Sequence, residues 1–144
     1  MEKLFRIGEL AKLSNVSHRT IDYYTKLGLI DPDMRSDKNY RYYSVETLTR
    51  LKQIEAMKKE KYSLEEIKGA FELWFKVSHD EQVTHKFTSL QMHMHQLEKE
   101  VKELSPLIEQ LKPNQIKQAF KLISPQSLAC IEALLLFLDK GPLL

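Results

Sequence analysis

Arg19, Asp22, Tyr23 and Lys26 lie three or four residues apart in the stretch RTIDYYTKLGLI. On a helix this spacing puts them on one stripe, with His18 and Thr20 near its N-terminal end. Two cations and a phenol hydroxyl are donors, and donors on one face suit a polyanion: Arg19 and Thr20 at a helix start can enter a major groove, while Tyr23 can donate to a phosphate. Asp22 is the exception, because phosphates repel a carboxylate. It can pair with Arg19 or Lys26 and hold them in place, or it can accept from a cytosine amino group. Intrahelical pairs are common at this spacing and acidic base contacts are rare, so the orienting role is preferred. Tyr24, next to Tyr23, faces mostly inward and is counted with the contact residues by its position.

Downstream, NYRYYS supplies Tyr40, Arg41 and Tyr42 on an extended segment, preceded by Lys38, and KKEK supplies Lys58, Lys59 and Lys61. Arg41 on a protruding hairpin can straddle a backbone or minor groove, and the lysines can add phosphate contacts. Other chemistries find less support. His79, His85, His93 and His95 invite a metal reading, but residues two apart on a helix point to nearly opposite sides, so His93 and His95 cannot share an ion. No metal and no cofactor are expected. Cys130 is the only cysteine, which rules out an intrachain disulfide, and within SLACIEALLLF it reads as a small buried hydrophobe in preference to a thiol sensor. No glycine-rich phosphate loop, nucleophile elbow or carboxylate pair points to an enzyme.

The elements that would position these groups can be read from pattern. Ile7, Leu10, Ala11 and Leu13 recur at helical spacing and break at Ser14-Asn15. Ser17 can cap a second helix reaching Lys26 or Leu27, Gly28 fits the left-handed position past its end, and Asn15 tolerates a left-handed turn. Helix, tight turn, helix results, with Ile21, Tyr24 and Leu27 packing on Ile7, Leu10 and Val16. In LIDPDMRSDKNYRYYS, Leu29-Ile30 and Tyr40 to Tyr43 read as the extended arms of a hairpin or wing, and either Tyr42 or Tyr43 should be buried. Ser44 can cap a third helix carrying Leu48, Leu51, Ile54 and Met57. Ser63 and Glu66 form a capping box for a fourth with Leu64, Ile67, Phe71 and Trp74. Trp74, Phe71 and Phe75 read as core where this fourth helix meets a long fifth one.

Along that fifth helix Val83, Phe87, Leu90, Met94, Leu97, Val101, Leu104, Ile108 and Leu111 alternate steps of four and three without a miss, a heptad seam. No other helix is long enough to cover it, so a second copy of the chain is the expected partner, with orientation left open. Pro106 should kink or restart the helix. A tail begins at Pro113, in which Ser124-Pro125 should start a last helix that Gly141 stops. Apolar nearly all round at Leu134 to Leu138, that helix must be buried somewhere, most simply against the dimer or its heads.

The chain has 144 residues and a net charge of +2, unevenly spread. Residues 1–62 hold 13 Lys+Arg against 9 Asp+Glu and all six tyrosines; residues 63–144 hold 9 against 11. An excess of four in the first part suits focused contacts with a polyanion, not a charge blanket. MEKLFRIGELAK has no basic-then-apolar leader and no apolar run approaches bilayer length, so a cytoplasmic address and no membrane partner are expected.

IGELAKLSNVSHRTIDYYTKLGLI, the hairpin ending in NYRYYS, and MKKEKYSLEEI ahead of a heptad helix together resemble the MerR family of bacterial transcriptional regulators over residues 5–111. The resemblance implies a mainly α protein: a winged helix-turn-helix DNA-binding head at 1–76, an antiparallel coiled-coil dimerisation helix at 77–112, and a short helical C-terminal effector or packing region at 113–144. It implies a homodimer on double-stranded promoter DNA, acting with RNA polymerase by bending and untwisting an overlong promoter spacer, in answer to an effector the sequence does not name. An architectural or adaptor protein, whose coiled coil recruits a partner, is the alternative. Two departures stand out. Asp22 replaces the family's usual arginine and Thr25 its usual acid, while Asn15 and Asn39 stand where glycine is common.

Overall fold

The computed structural model describes residues 2–141. Met1 and residues 142–144, the outer ends of the first and third expected regions, lie outside the described residues. The elements run β1 (Phe5–Arg6), α1 (Ile7–Ser14), α2 (His18–Leu27), β2 (Met34–Arg35), β3 (Arg41–Tyr43), α3 (Val45–Lys59), α4 (Leu64–Val77), α5 (Glu81–Ile108) and α6 (Pro113–Leu138). They divide into two compact units, Met1–His95 and Gln96–Leu144.

Local chemistry sets the first unit's boundaries. Ser17, Ser44 and Ser63 each accept a hydrogen bond from the backbone N–H three residues on, so each satisfies an otherwise orphaned donor of a first turn. Glu66 closes the capping box by accepting from the Ser63 N–H at 3.0 Å. Asn15 (φ 57°) and Gly28 (φ 78°) adopt the left-handed conformation that ends α1 and α2. Asn39 and Lys61 do the same in the wing turn and after α3; at Lys61 nothing in the residue type signals it.

The sheet has the order β1-β3-β2, all antiparallel, with Phe5 opposite Tyr43 and Arg6 opposite Tyr42. Its first strand was not expected: two residues long, it is held by pairing with a segment far away in sequence. Leu29 and Ile30, expected as a strand arm, are fully buried in a bend instead; the arm is Met34–Arg35, paired with Tyr42 and Arg41. Tyr43 is the buried member of the tyrosine pair, packed in one core with Phe5, Leu10, Ile21, Tyr24, Leu51, Ile54, Ile67 and Phe71. Thr84, Thr88 and Met92, four residues apart on α5, are buried in this unit. Gln53 joins α3 to that helix by donating to the His85 carbonyl and the Ser89 hydroxyl, both at 3.2 Å.

The second unit corrects several expectations. α5 does not restart at Pro106 but includes it and ends at Ile108, so Leu111 lies in the bend before α6 and off the helix. α6 does not begin at Ser124-Pro125 but runs unbroken from Pro113, with Pro125 inside. Proline removes the helical N–H that would bond the Lys121 carbonyl, and on either side of it Ser124 Oγ donates to the Phe120 carbonyl and Ser127 Oγ to that of Ile123. Uninterrupted, α6 is long and apolar enough to cross a membrane by length and composition, unlike the shorter last helix expected there. No described residue of α6 is buried, and Cys130 is an exposed free thiol, not a core hydrophobe. Phe75 is likewise exposed, its ring 4.3 Å from that of His79.

Candidate nucleic-acid interface

The outer stripe of α2 is in place. His18, Arg19, Tyr23 and Lys26 are exposed, with Tyr23 half open to solvent, because the inward positions Ile21 and Tyr24 are the ones the core takes. Thr20 is engaged in the helix cap, its Oγ1 accepting from Ser17 Oγ at 2.9 Å. Tyr24 does not belong to an exposed contact set. Its ring is buried, its hydroxyl donates to Glu55 Oε1 at 3.0 Å, and it accepts from Lys58 Nζ at 3.0 Å. Burial pushes its phenol pKa up, and the same hydrogen bond raises that of Lys58, so the phenol stays protonated and the lysine charged.

Asp22 takes Lys26, as expected, but not Arg19. Its second partner comes from the wing: Arg41 Nη2 donates to Oδ1 at 2.7 Å, while Lys26 Nζ lies 3.1 Å from Oδ2. The Lys26 and Arg41 hydrogen bonds hold the Asp22 carboxyl below the usual carboxylate range. One turn further along α2, Thr25 Oγ1 donates to the Ile21 carbonyl at 2.8 Å and meets the Tyr43 hydroxyl at 2.9 Å. The wing is therefore tied to α2 at two points.

A cleft of about 960 Å³ opens between the start of α1, the start of α2 and the wing turn, and Arg6, Lys12, His18 and Arg41 face it with Glu9 as its one acid. Arg6 lies over the Tyr40 ring at 5.2 Å and the Tyr42 ring at 5.7 Å, and its Nε and Nη2 donate to the Tyr42 hydroxyl at 3.3 Å. Tyr40 and Lys38 are exposed at the wing tip; Tyr42 is half-buried and its hydroxyl is taken. Arg6 and Lys12 were missed from sequence. Arg6 sits on the unforeseen strand β1, and only its pairing opposite Tyr42 could have placed it here. Lys59 and Lys61 are exposed at the end of α3 and in the turn after it.

The expected seam divides by exposure. Met94, Leu97, Val101 and Leu104 are 44–57 % exposed, Val83, Phe87, Leu90 and Ile108 are half-buried, and the Phe87 ring stacks on Trp74 at 4.6 Å. Among the described residues no group of three or more His, Cys, Asp or Glu side chains could hold a metal ion. His79, His93 and His95 are exposed; His85 is half-buried, with a buried Nδ1 that has no hydrogen-bond partner.

The model of the MerR HTH family regulatory protein matches residues 5–73. The HTH-type transcriptional regulator CueR of Bacillus subtilis is 34 % identical over 135 residues, 94 % of this chain and 92 % of that protein. The mercuric resistance operon regulatory protein of Bacillus cereus is 48 % identical over 63 residues, 44 % of this chain and 48 % of that protein. Among solved structures, HiNmlR, a MerR family regulator bound to promoter DNA, superposes with a TM-score of 0.54 at 18 % identity, covering 86 % of this chain and 94 % of that one. SkgA of Caulobacter crescentus gives 0.53 at 22 %, covering 94 % and 99 %. At those identities the two structures speak for the fold. With a winged helix-turn-helix head and a relative similar over nearly its whole length, the chain belongs to the MerR family of DNA-binding transcriptional regulators.

Proposed function

We propose that the chain works as a homodimer that binds an inverted repeat in a promoter and controls transcription by distorting the DNA. Residues 1–76 are the DNA-binding head, 77–112 the dimerisation region built on α5 and 113–144 the packing or effector region, acting in the cytoplasm beside RNA polymerase. One observation carries the reading: Arg6, Lys12, His18 and Arg41, from β1, α1, the start of α2 and the wing, line one cleft of the head, and Arg19, Tyr23 and Lys26 of α2 are exposed. His18, Arg19 and Tyr23 enter the major groove, with Tyr23 donating to phosphate. Arg41 serves the flanking backbone with Lys38 and Tyr40, and Arg6, Lys12, Lys59 and Lys61 add phosphate contacts. Tyr42 supports Arg6, and Tyr24 orients Lys58.

The exposed apolar seam of α5 supports the dimer. Each side chain gains roughly 1.5 kcal/mol or more on full burial, and two heads on a stiff pair of helices fix a half-site separation, which lets a dimer act on DNA shape. Selection of bound duplexes from a random pool should return an inverted repeat that the full chain bends in circular-permutation gels. A pool that stays random, with all duplexes bound alike, would overturn the reading.

A further inference from the structure

The wing is a small device. Its strands are two and three residues long, and an isolated hairpin of that size is marginal in water. Contact with DNA at both α2 and the wing nevertheless requires the two to keep a set separation. Besides the core packing of Tyr43, two polar side-chain links from successive turns of α2 join them: Asp22 to Arg41 at 2.7 Å and Thr25 to Tyr43 at 2.9 Å. The first is charge-assisted, 19 residues apart in sequence, and drawn from a residue type that a phosphate-facing stripe should exclude.

We propose that Asp22 is a positioning residue for DNA binding: its carboxylate clips Arg41 of the wing to the recognition helix α2 and so sets the wing in its DNA-competent place before DNA arrives. This rests on the DNA face proposed above. Each carboxylate oxygen has a cationic partner, Arg41 on one and Lys26 on the other, so the Asp22 charge is neutralised and the three side chains together keep a net charge of +1. Arg41 uses Nη2 for the clip, and a guanidinium has five N–H donors, so others stay available to a phosphate. The Arg41 side chain is only 20 % exposed, against 75 % for Lys26, so the wing arginine is the held partner and the lysine the outer one. A direct role for Asp22 in accepting from a cytosine amino group would have to share oxygens that already accept from Arg41 and Lys26.

The test uses the full chain and the duplex it selects, titrated at several salt concentrations with Asp22→Ala, Arg41→Ala, the double variant and Asp22→Glu. Asp22→Ala and Arg41→Ala should each weaken binding by about tenfold, the double variant should be no weaker than Arg41→Ala, and Asp22→Glu should recover part of the loss. Loss of a delivered phosphate contact should reduce the salt slope of log K by up to about 0.9 in both single variants. Tighter binding and a steeper slope for Asp22→Ala would show mere repulsion and overturn the clip. So would losses that multiply in the double variant, or a loss confined to duplexes with a G·C pair at one position. Without DNA, Asp22→Ala should speed amide exchange across residues 34–43; unchanged exchange also counts against the clip. Arg19→Ala and Tyr23→Phe separate the two ideas: if neither weakens binding, the DNA face itself is wrong, whereas if both do and Asp22→Ala does not, only the clip is.

Discussion

The two units hold apolar residues in opposite ways. In Met1–His95, Leu10, Ile21, Ile30, Tyr43, Leu51, Ile54 and Ile67 are wholly buried around one core, whereas in Gln96–Leu144 no described residue is buried although leucine is frequent there. A head of this kind can fold on its own contacts. Leu97, Val101 and Leu104 on α5, and Leu122, Leu128 and Leu136 on α6, leave close to half or more of their surface open, and apolar surface of that extent marks an interaction face. The head is thus where polar groups can be placed with accuracy, and the second unit is where the proposed dimer would draw its apolar contacts.

The largest effect expected from breaking this contrast is in the head's core. Ile54→Ala should cost 2–5 kcal/mol, roughly, in denaturant melts, while Leu128→Ala on exposed α6 in a monomeric background should stay within about 0.5 kcal/mol. Equal losses at both sites would erase the distinction. Next, charges placed in the seam by Leu97→Glu with Leu104→Glu should yield monomers by light scattering, and binding to the inverted repeat should fall on the order of 100-fold or more as two-headed engagement is lost. The head's melting should not move.

Smaller effects separate the helix starts. Ser63→Ala should cost about 1 kcal/mol because α4 loses a bonded cap. Lys112, the cap position of α6, makes no side-chain cap bond, so Lys112→Ala should change melting by less than about 0.5 kcal/mol. Last is pH. Desolvation lowers the His85 pKa, with Lys86 adding to it, so the unfolded chain takes up a proton near pH 6.5 while the folded head does not. The head should therefore lose stability as pH falls below about 6.5, and His85→Leu should flatten that dependence in melts between pH 7 and 5; an unchanged slope would show that His85 is not the group responsible.

What could be read in the sequence was what neighbouring residues decide. Ser17, Ser44 and Ser63 cap because a hydroxyl reaches an N–H three residues on, and Asn15 and Gly28 end helices because few other residue types accept positive φ. The outer stripe of α2 followed from the inward face of the same ten residues. What was missed depends on partners far along the chain. β1 exists only as an edge to β3, and Arg6 enters the cleft through it. Asp22 was expected to pair within α2, yet its shortest contact is Arg41, which helical spacing cannot reveal. Thr84, Thr88 and Met92 carry the packing of α5 on the head, but two threonines leave no apolar signal beside a nine-residue heptad run. Pro125 reads as a helix start, yet α6 runs through it, a continuity that the proline itself does not signal.

Whether paired chains grip one DNA site is settled most directly by sedimentation of the full chain with its selected duplex at micromolar concentration. Two chains should travel with each intact inverted repeat, and the free protein should sediment as a dimer. One chain per repeat, or a free chain that stays monomeric at that concentration, would contradict the proposed dimer and with it the proposed distortion of DNA.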